Sequence, residues 1–124
     1  MRTTCNYLLL SRLVMALCVL PGTASAEGWK VYAADGQGHF GWAARPVDST
    51  SHISIAAREA LLGCQQTSCR VVMSVTAQCM AFAESRMNGY WYGHAFGPDI
   101  GTATANAVRF CKDPSCRVIH SFCS

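Results

Sequence analysis

Four histidines (His39, His52, His94 and His120), two glutamates (Glu59 and Glu84) and eight cysteines are the side chains of this 124-residue chain best suited to chemistry. Glu59 and Glu84 could supply the carboxylate pair of a glycoside hydrolase. However, Glu59 falls on the solvent side of a predicted helix and reads as a solvated charge. His39 and His94 sit in comparable aromatic stretches and could share a metal ion; half-exposed strand histidines are the simpler expectation. A Cys–His nucleophile pair needs a free thiol, and the cysteines have another use, set out below. The chain holds no G-x-S-x-G, no H-E-x-x-H and no glycine-rich phosphate loop. Arg70 and Arg117 are equivalent in an internal repeat and could bind an anion together. An arginine just after a strand's first cysteine reads instead as the partner of a helix C-terminus or a nearby acid. These residues lead us to expect no catalytic group, no metal and no cofactor.

The N-terminus says where the chain goes. Arg2 and Arg12 precede an apolar run, Leu13 to Leu20, which Pro21-Gly22 breaks before the small residues Ala24-Ser25-Ala26. That is the layout of a signal peptide cleaved after Ala26, and the run is too short to span a bilayer. Removing residues 1–26 removes Cys5 and Cys18 and leaves Cys64, Cys69, Cys79, Cys111, Cys116 and Cys123. Six cysteines in a short exported chain predict a disulfide framework. Zinc is the rival, but both close pairs are C-x4-C rather than C-x2-C. Ten Lys plus Arg stand against seven acids in the whole chain, and eight against seven once Arg2 and Arg12 are gone. A net charge of +1 with no basic run argues against nucleic-acid binding and against an electrostatic membrane anchor.

The elements follow from a repeat. Shifted by 47 positions, Ile53–Ser74 matches Ile100–Ser121 at Ile53/Ile100, Ala56/Ala103, Ala60/Ala107, Cys64/Cys111, Cys69/Cys116, Arg70/Arg117, Val71/Val118 and Ser74/Ser121. Ile53, Ala56, Ala57, Ala60, Leu61 and Cys64 recur at helical spacing, as do Ile100, Ala103, Ala107, Val108 and Cys111. Thr50 or Ser51 can cap the first helix and Asp99 the second. Alternation over Cys69–Gln78 predicts a half-buried strand, which Cys116–Cys123 repeats. Aromatic and small residues precede each helix, Gly38–Ala44 and Gly89–Gly97, and read as strands whose aromatics cover neighbouring glycines. The expectation is one secreted α+β domain, residues 27–124, built from two β-α-β units at about 38–83 and 88–124. Their two helices would pack on an antiparallel sheet. Six cysteines allow fifteen pairings. The repeat favours Cys64–Cys69 and Cys111–Cys116, each joining a helix end to the next strand. It leaves Cys79–Cys123 to tie the two copies together.

Several of these residues also resemble a known family. Phe40-Gly41-Trp42-Ala43-Ala44, the alanine-rich helix ending in Cys64, Cys69-Arg70-Val71-Val72 and Cys79-Met80-Ala81 are similar to the exported bacterial proteins grouped as domain of unknown function 4189. The likeness covers nearly all of the chain after residue 26. It implies export and a small cysteine-bearing domain, and it brings no established catalytic residues.

The surplus in the sequence is aromatic. In an extended Asn88–Gly97, Tyr90, Tyr92, His94 and Phe96 share one face, and Trp91 shares the other with Gly93 and Ala95. Such residues concentrate at interfaces, so Tyr90, Trp91, Tyr92, His94 and Phe96 form the candidate binding segment. The alternative is that they are core. The expected function is an exported, non-catalytic protein-binding domain, periplasmic or extracellular. Its expected partner is another protein, such as a toxin or a cell-wall hydrolase that it inhibits or gives immunity against. A secreted effector acting on a host or competitor cell, and an enzyme with an unrecognised site, are the other readings.

Overall fold

The strands that precede each aromatic stretch organise the molecule, and periodicity does not reveal them. The computed structural model describes residues 27–47 and 53–124. The expected signal peptide, His52 and the capping candidates Thr50 and Ser51 lie outside the described residues. The elements run β1 (Gly28–Ala34), β2 (Phe40–Pro46), α1 (Ile53–Cys64), β3 (Arg70–Ala77), β4 (Cys79–Ser85), β5 (Trp91–Gly97), α2 (Ile100–Cys111) and β6 (Arg117–Cys123). The expected β-α-β segments are β2-α1-β3 and β5-α2-β6, and each unit has one further strand, β1 or β4, in front. The strands form two antiparallel three-stranded sheets, β2-β1-β3 and β5-β4-β6, rather than one. β1 and β4 are the central strands, buried along nearly their whole length. Strands covered on both faces lose the inside–outside alternation that marks a half-buried strand. A single residue, Gln78, carries the chain from β3 in the first sheet to β4 in the second.

Burial explains the layering. Ala56, Ala60 and Cys64 of α1 pack on Val31, Ala33 and Ala43. Ala103, Ala107 and Cys111 of α2 pack on Cys79, Ala81, Ala83 and Ala95. The opposite faces of the sheets meet around Tyr32, Met73, Met80 and Phe82, with Phe40, Tyr92 and Phe122 at the margins. The order is therefore helix, sheet, sheet, helix, an α+β domain with small-residue outer cores and an aromatic middle. As expected, Asp99 caps α2, accepting from the Thr102 backbone N–H at 2.7 Å.

All three disulfides pair as the repeat favours: Cys64–Cys69, Cys111–Cys116 and Cys79–Cys123. The reason given for the third needs correction. Cys79 opens β4 and faces Cys123 of β6 directly in the ladder. The bond thus closes the second sheet on itself and does not tie the two units together.

The middle layer holds a titratable group. His120 Nδ1 and the Tyr32 hydroxyl share a hydrogen bond of 2.7 Å, with Trp42 lying over the imidazole. Burial pushes the pKa of His120, and that of His94, below the ordinary 6.5. The unfolded chain then binds protons first as pH falls through 6.5, so stability drops there and rises with pH across the same window. Melting temperature is expected to fall from pH 7 to pH 5, and His120→Phe should flatten that slope. Equal slopes in both proteins would contradict the assignment.

Candidate functional site

β5 is an edge strand, and its two faces have different surroundings. Gly93 lies under α2 with no room for a side chain: a Cβ there would run into the Ala107 carbonyl oxygen and the Cys111 backbone nitrogen. Gly41 of β2 meets Ala60 and Cys64 of α1 in the same way. The aromatics divide as the extended reading requires. Tyr92 is half-buried and stacks on Phe82 at 5.7 Å, so it belongs to the margin of the middle layer. Tyr90 stacks on Tyr92 at 5.9 Å beneath the Arg86 guanidinium. Burial, with a hydrogen bond to Glu84, raises the Tyr90 phenol pKa. His94 is half-buried, and its burial favours the neutral ring. Trp91 and Phe96 stay 44% and 49% exposed. The Trp91 indole donates to the Asn88 carbonyl at 2.9 Å, which fixes the ring beside the turn.

A cleft of about 820 Å³ runs along the β5 edge. Met73 of β3 borders it on one side, and Asn106, Phe110 and Lys112 border it on the α2 side. Of these, none is a candidate from sequence alone. The available signal was divergence within the repeat, because the partners of Asn106 and Phe110 at a shift of 47 are Glu59 and Gly63.

The internal symmetry explains why this edge is open. Ala33 pairs with Gly41 and Ala83 with Gly93, so Trp42 corresponds to His94 and Arg45 to Gly97. In the first unit, Trp42 packs on His120 at 4.5 Å and on Phe122 at 5.2 Å, closing the seam between β2 and β6. At the twin seam between β5 and β3, His94, Met73 and Val75 take those three places, and the cleft opens beside Met73 and His94. The Arg45 guanidinium also bonds to Glu59, strapping the β2 edge to α1. Gly97 and Asn106 hold the twin positions and can form no such strap. β2, β3 and β6 carry Arg45 with Pro46, Arg70 and Arg117 respectively, whereas β5 has no lysine, arginine, acid or proline. Charges and prolines are the usual protection of a sheet edge.

The remaining candidates lie elsewhere. Glu59 is the partner of Arg45, and Glu84 accepts from Arg86 at 3.1 Å. The His39 Nδ1–H donates to the Asp35 carboxylate at 2.7 Å in the β1–β2 turn. Arg70 and Arg117 belong to different sheets. Among the described residues, no three His, Cys, Asp or Glu side chains gather to hold a metal, and no helix is long and apolar enough to cross a membrane.

No curated protein and no solved structure matches this chain. A family comparison matches residues 29–123 to a domain of unknown function, DUF4189. That span takes in all six strands but for Gly28, both helices and all three disulfides, and the chain therefore belongs to the DUF4189 family.

Proposed function

We propose that this is an exported, non-catalytic binding domain that takes an extended segment of another protein along the β5 edge. The observation that carries the reading is an unguarded edge strand beside an apolar cleft. A polypeptide laid against β5 gains main-chain hydrogen bonds, and its alternate side chains enter the cleft from either face. Trp91, Phe96 and Phe110 supply exposed aromatic area next to those hydrogen bonds, and such residues dominate binding energy at interfaces. Three disulfides favour work outside the reducing cytosol, in keeping with the leader read at residues 1–26. They also stiffen the platform, so less entropy is lost on binding. Inhibition of, or immunity against, a toxin or wall-degrading enzyme is the role that suits a small rigid binder of this kind.

Partner capture from periplasmic extract, followed by titration of the captured protein, tests the reading. Trp91→Ala and Phe96→Ala are each expected to weaken binding by about 2 kcal/mol, roughly thirtyfold, and to leave the melting temperature nearly unchanged. Tyr92→Ala should instead lower thermal stability, because its ring stacks in the middle layer. Undiminished affinity in both Trp91→Ala and Phe96→Ala would remove β5 from the function.

A further inference from the structure

The two halves of the molecule are one design used twice, and one half shows what the other lacks. We propose that the segment docked on β5 inserts an aromatic side chain into the seam between β3 and β5, against Met73 and His94, with an acidic group toward Lys112. This rests on the reading of β5 as a docking edge and adds the chemistry of the occupant.

The twin seam is the template. Between β2 and β6 the sheets are bridged at their margin by the indole of Trp42, which covers His120 and Phe122. The corresponding residues between β5 and β3 are His94, Met73 and Val75. Imidazole in place of indole, and isopropyl in place of phenyl, remove side-chain volume from the same layer. Protein interiors pack densely, so the first unit defines the shape that completes this seam: a flat ring in line with the strands. The surfaces that would receive it suit a ring. Met73 offers a polarizable thioether, which favours contact with aromatics. The neutral His94 ring, beside Tyr92 at 6.3 Å, offers a face to stack on.

Charge completes the specification. Lys112 is the one charged side chain bordering the cleft. It sits at the C-terminal end of α2, with φ of 63°, and no hydrogen bond or ion pair within the described residues engages its ammonium. An occupant with a carboxylate on that side matches it, and one with a lysine there is repelled. Because side chains alternate along a strand, the aromatic and the acid fall at positions of opposite parity.

A displayed library of random peptides, selected on the immobilised full-length mature protein, tests this directly. The expected outcome is enrichment of peptides with Trp, Tyr or Phe at one position and Asp or Glu at a position of the other parity. Changing that aromatic to Ala in a synthetic copy should weaken binding about thirtyfold. His94→Trp, which rebuilds the twin's ring inside this seam, should abolish the aromatic preference while leaving melting temperature intact. Lys112→Glu should shift selection away from acidic peptides. Peptides that bind the β5 edge, lose binding in Trp91→Ala, and show no aromatic requirement would overturn the inference and leave the docking edge standing. Recovery of no binders, or of binders indifferent to Trp91→Ala and Phe96→Ala, would overturn both.

Discussion

Gly93→Ala is expected to destabilise the protein by about 3 kcal/mol or more, and Gly41→Ala by a similar amount. In each case the added methyl would press on a helix backbone: the Ala107 carbonyl and Cys111 nitrogen for Gly93, the Ala60 carbonyl and Cys64 nitrogen for Gly41. Neither partner can step aside as a flexible side chain would. Each helix is held down at that very point by a buried alanine pair and by a disulfide leaving its last residue. Relief would require lifting the helix off its sheet, which exposes the alanine core beneath. Gly63→Ala is the control. Gly63 faces Gly41 from the helix side, and its added Cβ would lie at 3.4 Å from the Gly41 Cα, an ordinary contact. That substitution should gain about 0.5 kcal/mol from better helix propensity. Opposite signs at two glycines in contact would establish that the strand side, not the helix side, needs the missing side chain. Equal, small effects at Gly41, Gly63 and Gly93 in chemical denaturation would refute it.

This close approach also explains what the sequence showed and what it hid. The helices were legible because Ala56, Ala60, Ala103 and Ala107 repeat at helical spacing, and because each ends on a cysteine at the same offset. The last strands shared that offset and came with them. The first half of each unit did not. Equivalent residues lie 50 positions apart in the central strands (Ala33 and Ala83) and 52 apart in β2 and β5 (Gly41 and Gly93), against 47 in the helices. The β4–β5 hairpin runs one residue pair further beyond Ala83–Gly93 than the β1–β2 hairpin does beyond Ala33–Gly41, and the β5–α2 link is shorter than the β2–α1 link. No single shift aligns the whole unit, and the central strands share almost no identities across it. β1 and β4 are also buried on both faces, so they carry no alternation to detect. Without them the pattern predicts a single sheet and places Cys79 at the end of the first unit, whereas it opens the central strand of the second sheet.

The binding segment was legible only in part. Surplus aromatic residues at Tyr90–Phe96 are visible in any reading. What composition could not say is which of them the middle layer absorbs. Tyr92 is engaged by Phe82 across the ladder of the second sheet, whereas Trp91 and Phe96 are left outward. The cleft itself is a relation between two strands of different units, Met73 on β3 and His94 on β5. It arises from residues that differ between the copies, and a search for identities passes over those.

Loss of the Cys79–Cys123 disulfide is expected to be the most damaging change among the three bridges, although the other two mark the helix ends. The bond closes a loop of 44 residues, against a sequence separation of 5 for each of the others. In the chain-entropy account, that difference makes it worth about 4 kcal/mol, compared with about 2 kcal/mol for a short loop. A domain of this size has a net stability on the order of 5 to 15 kcal/mol, so the long bridge is a large share of it. The structure adds a second reason. Cys123 ends β6, and its partner begins the central strand of the same sheet. Between the bond and the start of β6 lie His120 and Phe122, which support Trp42 at the closed seam. When the bond is absent, the end of β6 keeps its ladder hydrogen bonds, the hydrogen bonds of Ser124 to Gln78 and Lys30, and the contact of Phe122 with Trp42, none of them covalent. Cys79→Ala with Cys123→Ala should therefore lower the unfolding free energy about twice as much as Cys64→Ala with Cys69→Ala. It should also alter Trp42 emission before global unfolding, as the seam loosens. Chemical denaturation of the three double variants, followed by fluorescence, reads both effects. Equal losses from all three pairs, with a single coincident transition, would show that the short bridges bear on the fold as heavily as the long one.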